Sequence, residues 1–174
     1  MPWQLDPNHT EVGFEVRHMM VSKVRGRFTD VAAEVHLDEA QPANSRVEAT
    51  IGTASVTTGA LDRDGHLRSA DFFDAEQHPH ITFRSTSVQP TAKGAFKVAG
   101  NLAIRGVERP VTLDGQFEGP ATDPWGNKRV GFSLVGDIDR EAFGLTWNQA
   151  LEAGGVLVAK HVKLQIDAQV VAAA

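Results

Sequence analysis

Cysteine is absent from this 174-residue chain, which rules out a disulfide framework, a thiolate metal site and a thiol nucleophile, and leaves the redox compartment open. A basic block is missing as well. Seventeen Lys and Arg stand against 22 Asp and Glu, a net charge of −5, and no face combines arginine with aromatics, so nucleic acid is not an expected partner. No apolar run approaches the roughly 18 residues that a membrane span requires. Neither a Gly-x-Ser-x-Gly elbow nor a phosphate-cradling glycine loop is present. The start, MPWQLDPNHT, lacks the charged and apolar regions of a signal peptide, so the expected location is cytoplasmic as encoded, or periplasmic if this is a trimmed mature form. Linkers and internal repeats are not visible, and the length suits one domain over residues 1–174.

What the chain does have is period-two alternation. Val12, Phe14, Val16 and His18 alternate with Gly13, Glu15 and Arg17, and Val24, Gly26 and Phe28 continue the pattern. Comparable runs follow at Ala33–Leu37, Val47–Ile51, Ile81–Phe83, Phe96–Ile104, Val111–Phe117 and Val130–Leu134, with turn chemistry at Pro42–Asn44, Gly106–Pro110, Gly119–Asn127 and Gly154–Gly155. The longest run places Val156, Val158, Lys160, Val162, Leu164, Ile166, Ala168 and Val170 on one face. About eight short-spaced strands predict an all-β antiparallel barrel or sandwich. Closure is favoured, because the last strand would be a hazard at an open edge.

One long stretch breaks the alternation, from Thr57 to Phe83. It packs Asp62, Arg63, Asp64, His66 and Arg68 into seven positions and then turns apolar at Phe72 and Phe73. The spacing predicts short helical turns near residues 60–75, with Ser69 as N-cap of a turn through Asp74 and Pro79 restoring extended chain. The two phenylalanines point into the barrel, either as the closing part of an ordinary core or as a plug at its mouth.

An eight-stranded barrel can be filled or can hold one ligand. The inward faces carry small residues, among them Gly26, Ala49, Gly100, Val156, Val158 and Val162, which favours a hollow, apolar, elongated interior, since a native core does not tolerate large voids. Tryptophan at position 158 or 162 is then expected to fill it. Lys160 interrupts the apolar face of the last strand and reads as a lysine snorkelling to water at the barrel end. His78 and His80 share a strand face, but no carboxylate–histidine set has the helical spacing of a hydrolytic zinc site.

In order along the chain come Trp3-x-Leu5-Asp6-Pro7-x-His9-Thr10, Val16-x-His18, Gly26-x-Phe28 and Thr58-Gly59. Then follow Arg63-Asp64-x-His66-Leu67-Arg68-Ser69-x-Asp71-Phe72-Phe73-Asp74, Pro79-x-Ile81-Thr82-Phe83, Gly100-Asn101-Leu102-x-Ile104-Arg105-Gly106, Gly131-Phe132 and Asp139-Arg140-x-x-Phe143-Gly144-Leu145-x-Trp147. With this set the chain resembles the YceI-like family of lipid-binding, or polyisoprenoid-binding, proteins almost from end to end. The resemblance implies a lipocalin-like, extended eight-stranded antiparallel barrel holding one long-chain lipid, a polyisoprenoid, an isoprenoid quinone or a fatty acyl compound, as a carrier or store. It implies no catalytic residue, metal or catalytic cofactor, and leaves a homodimer open. Many relatives carry a secretion signal, which this chain lacks.

Candidate cavity and mouth residues are therefore Phe14, Val16, His18, Phe28, Ala49, Ile51, Phe83, Leu102, Ile104 and Phe132 on the strands, with Val156, Val158, Lys160 and Val162 on the last one. Arg63, His66, Arg68, Phe72, Phe73, Phe143 and Trp147 complete the set outside the strands. The gate is expected at Gly59–Glu76, where ladder hydrogen bonds are fewest. The rival reading is an enzyme acting on an amphipathic lipid at the mouth through His66 with Asp62 or Asp64.

Overall fold

The computed structural model describes residues 3–149 and 157–172. Its strands are β1 (Trp3–Leu5), β2 (Glu11–His18), β3 (Ser22–Phe28), β4 (Val31–His36), β5 (Arg46–Gly52), β6 (Val56–Thr57), β7 (His80–Ala92), β8 (Ala95–Ile104), β9 (Val107–Thr122), β10 (Lys128–Asp139) and β11 (Val158–Ala172). All pairings are antiparallel, and β1, β4, β5, β7, β8, β9, β10 and β11 form a closed ring of eight, because β1 pairs with both β4 and β11. The long last strand thus has no free edge. Its Val158–Asp167 part pairs with β2, while Val170 and Val171 pair with β1, so β1 and β2 act as one strand broken at the Asp6–Thr10 corner. From that corner the β2–β3 hairpin rises, and β3 is capped by β6. The single α-helix among the described residues, α1 (Leu61–Arg68), lies far too short to cross a membrane.

The ends of the barrel differ. At the α1 end, Phe28, Val56, Phe72, Phe73, Ile104, Ile138, Phe143 and Leu145 are buried in one cluster. They come from five separate parts of the chain, and only closure brings them together. The other end carries the β4–β5, β7–β8 and β9–β10 turns.

Several sequence-based boundaries shift. The helix begins before Ser69 and ends at it: Ser69 is the C-cap, its amide and hydroxyl both donating to the His66 carbonyl. Periodicity is silent over so polar a stretch. Asp62 and Asp64 in the first turn and His66 and Arg68 in the last suit the helix dipole instead. Pro110 sits inside β9 opposite Asn101, and the turn is Arg105-Gly106, both with positive φ. Strand β9 likewise runs on through Pro120 to Thr122. Gly154, Gly155 and Val156 lie outside the described residues.

Candidate functional site

Away from the α1 end the barrel is hollow. A cavity of about 480 Å3 opens between the β4–β5, β7–β8 and β9–β10 turns. Its walls are cross-strand apolar pairs: Val35 with Val47, Ala49 with Phe83, Val98 with Leu113, Phe132 with Ala168 and Val130 with Val170. The side-chain period of two turns these faces inward together. Its floor is the rear of the packed cluster, since Val12, Val31, Ile51, Phe83, Leu102, Val111 and Leu164 both line the void and pack against the plug.

Polar groups gather at the rim, and several are already engaged. Glu39 meets Lys128 Nζ at 2.9 Å, and the Ser45 hydroxyl accepts from the Asp38 amide at 3.0 Å. His36 and Arg46 stand opposite one another where β4 turns into β5. Outside the wall, a groove of about 450 Å3 beside the Pro7–Glu11 corner carries Asn8, His9, Arg27 and Asp167, and shares Thr10 and Val31 with the cavity.

Of the residues singled out in the sequence, Ala49, Ile51, Phe83, Leu102 and Phe132 line this void. Phe28, Ile104, Phe72, Phe73 and Phe143 belong to the plug, and Phe14, Val162 and Trp147 pack against it. Val16 stands on the same rung as Val162 and Ile138, at the packed end. His18 and Val158 are paired at the far end of β2. Val156 lies outside the described residues. The small size of Gly26 and Gly100 does not leave empty space: the Phe14 ring lies over the first and the Phe83 ring over the second, so that a Cβ at either would collide. Neither Val158 nor Val162 lines the cavity: tryptophan at 162 would meet the packed end, whereas Ala49 is a small residue of the cavity wall.

Lys160 is not an inward residue. The pairing of β11 with β2 is irregular between Val158 and Val162, and this bulge breaks the alternation that put it on the apolar face. Its ammonium lies outside, 3.4 Å from Asp139.

The Gly59–Glu76 segment is pinned rather than loose. Phe73, Asp74 and Ala75 donate their amides to the carbonyls of Leu67, Ser69 and Arg68, and Arg105 donates to the Phe72 carbonyl at 2.9 Å. Asp64, 5 % exposed, accepts from the Thr58 amide and hydroxyl at 2.7 and 2.6 Å. These bonds, the hydroxyl's foremost, hold its carboxyl below the usual range. Arg63 closes the same knot by donating to the Thr58 hydroxyl and carbonyl. His66 meets Asp71 at 2.9 Å, not Asp62 or Asp64 as the enzyme reading required, and its ring stands edge-on to Phe72 and Trp147. Arg68, half-buried at the last turn of α1, completes this end.

Beyond it, Arg140 is 4 % exposed and donates to the carbonyls of Leu145, Ala159, Trp147 and Val158 at 2.6–3.2 Å. Burial lowers its pKa, and the four carbonyls supply what water would have given.

The YceI-like domain model matches residues 3–170. The chain belongs to the YceI-like family. A UPF0312 protein of Staphylococcus aureus strain USA300 is 37% identical to this YceI-like chain over 165 residues, 94% of each. Burkholderia cenocepacia BcnA superposes with a TM-score of 0.84 at 24% identity, over 95% of this chain and 98% of that one. The polyisoprenoid binding domain from Saccharophagus degradans implicated in plant cell wall breakdown gives 0.69 at 16% identity, over 99% of each chain. These two structures share the fold. The longest motifs of the YceI-like chain, Arg63–Asp74 and Asp139–Trp147, build its plug.

Missing from the candidate set are Val35, Val47, Val98, Leu113, Val130, Leu134, Ile166, Ala168 and Val170, all of which line the cavity. Their signal was the same alternation; what the pattern lacks is height along the barrel axis.

Proposed function

We propose that this protein binds the apolar tail of one long-chain lipid, a polyisoprenoid, an isoprenoid quinone or a fatty acyl compound, and serves as its carrier or store. The observation that carries the reading is the one-ended cavity, walled by valine, leucine, alanine and phenylalanine. The polar side chains of its lining are Thr10 and the rim residues His36, Asp38, Glu39, Ser45 and Arg46. Burying ten chain carbons contributes about 8 kcal/mol gross, at about 0.8 per methylene, before the cost of ordering the chain. The apolar wall thus supplies the driving force without any charged contact. That the Saccharophagus neighbour is a polyisoprenoid binding domain supports the same class of ligand.

Native mass spectrometry of gently purified protein, followed by organic extraction, tests the proposal. One lipid per chain is expected. A mass equal to the bare polypeptide, together with no uptake of a fluorescent fatty acid by delipidated protein, would overturn it.

A further inference from the structure

The cavity is closed at one end, and that closure has a consequence for which tails it accepts. Building on the lipid-tail reading, we propose that the floor formed by Phe83 and Leu102 is a ruler that limits the length of tail the barrel can enclose. Three observations converge. Both residues face the cavity and also belong to or pack against the plug. They are cross-strand partners, and Ala49 stands opposite Phe83 on the other side, so the three form one level across β5, β7 and β8. The Phe83 ring is held in place by Gly100, where a Cβ would strike both the ring and the Arg84 carbonyl. Beneath this level lie Ile81, Ile104, Phe72 and Phe73, packed with no room for a chain.

The size of the sleeve sets the length. The tail fills the cavity of about 480 Å3 down to the floor, and what does not fit projects from the mouth. Each carbon up to that point leaves water for an apolar wall, and raises affinity about fourfold. Carbons beyond it stay at the rim among His36, Asp38 and Arg46 and gain little. The ligand class follows: a lipid with one unbranched acyl chain that reaches the floor, or an isoprenoid whose first units fill the sleeve while the rest projects from the mouth.

Saturated fatty acids from 8 to 22 carbons, titrated by displacement of a fluorescent fatty acid from delipidated protein, test this. In the wild type the affinity should climb with length and then level off at a break within the series. Leu102→Ala lowers the floor by three carbons' worth of side chain and should move the break to longer tails by two or three carbons. Ala49→Leu raises it and should move the break down by a similar amount. Phe83→Leu is the milder alternative should Leu102→Ala unfold, and also moves the break up. Far-UV circular dichroism confirms each fold. Affinity that keeps climbing through 22 carbons, or a break unmoved in folded variants of both directions, overturns the ruler while leaving lipid binding intact. No binding at any length overturns the lipid-tail reading, and the ruler with it.

Discussion

At the scale of single residues, two charged groups hold the corners of the barrel by different physics. Arg140 is a buried cation with backbone carbonyls as partners. Arg140→Met would keep the volume and take this donor from the Leu145, Trp147 and Ala159 carbonyls, while the Val158 carbonyl keeps its bond from Asn148 Nδ2. A loss of about 2 to 3 kcal/mol is expected in urea unfolding, whereas an exposed arginine such as Arg25 should cost less than about 1. Asp6 is the opposite case, a carboxylate bound by Arg129 at 2.7 Å and His9 at 2.8 Å. Those hydrogen bonds, Arg129 first, bring its pKa from 3.8 to about 2. The folded value lies below the unfolded one, so this contribution is complete above pH 3.8 and is lost as pH falls through about 2. Asp6→Asn should melt lower at neutral pH and show a shallower decline in that acid window. A third residue tests the cavity itself. The atoms nearest to a Cβ at Gly115 belong to the Phe96 ring and Leu134, both side chains that line the void. Gly115→Ala should therefore push them inward and weaken tail binding severalfold, with the barrel still folded.

At the scale of elements, the division between ends predicts where the molecule moves. The α1 segment is tied by backbone bonds and by Phe72 and Phe73, 7 % and 9 % exposed. The β4–β5 turn has a short 3-10 stretch at Pro42–Asn44 and an exposed ion pair from Glu39 to Lys128, which contributes little. Local opening favours segments with few buried contacts. Hydrogen exchange should accordingly show residues 37–46 gaining protection on loading, with the 59–76 segment unchanged. Protection confined to 59–76 would place the entrance at the plugged end; protection at the Pro7–Glu11 corner would place it at the side groove.

At the scale of the whole molecule, a ligand bound by the folded state alone adds stability that grows as the logarithm of its concentration relative to its Kd. At a lipid concentration one hundred times its Kd the gain is about 2.7 kcal/mol. For a chain of this size that raises the melting temperature by roughly 5 to 10 °C. Differential scanning calorimetry of delipidated and loaded protein checks it, and equal melting would mean that the cavity stays empty of the lipid tried.

The alternation of Val35, Leu113 or Ile166 with polar neighbours determined which side of each strand faces inward, because the pleat forces successive side chains to opposite faces whatever the register. The length of the last run and the absence of an acceptable free edge determined closure. Composition determined the apolar character of whatever space lay within. It was the tertiary structure that decided which half of the barrel is filled. Phe28, Phe73 and Phe143 are far apart in sequence, and Phe28 and Phe73 meet with ring centroids 5.6 Å apart only after strand pairing has set their heights. The tertiary pairing also decided that Lys160 points outward, since it falls in the irregular stretch between Val158 and Val162 opposite β2, where strict alternation does not hold. A period of two carries the sign of each side chain and nothing about its level along the axis, and whether a level is plug or cavity depends on which side chains from distant strands arrive there together.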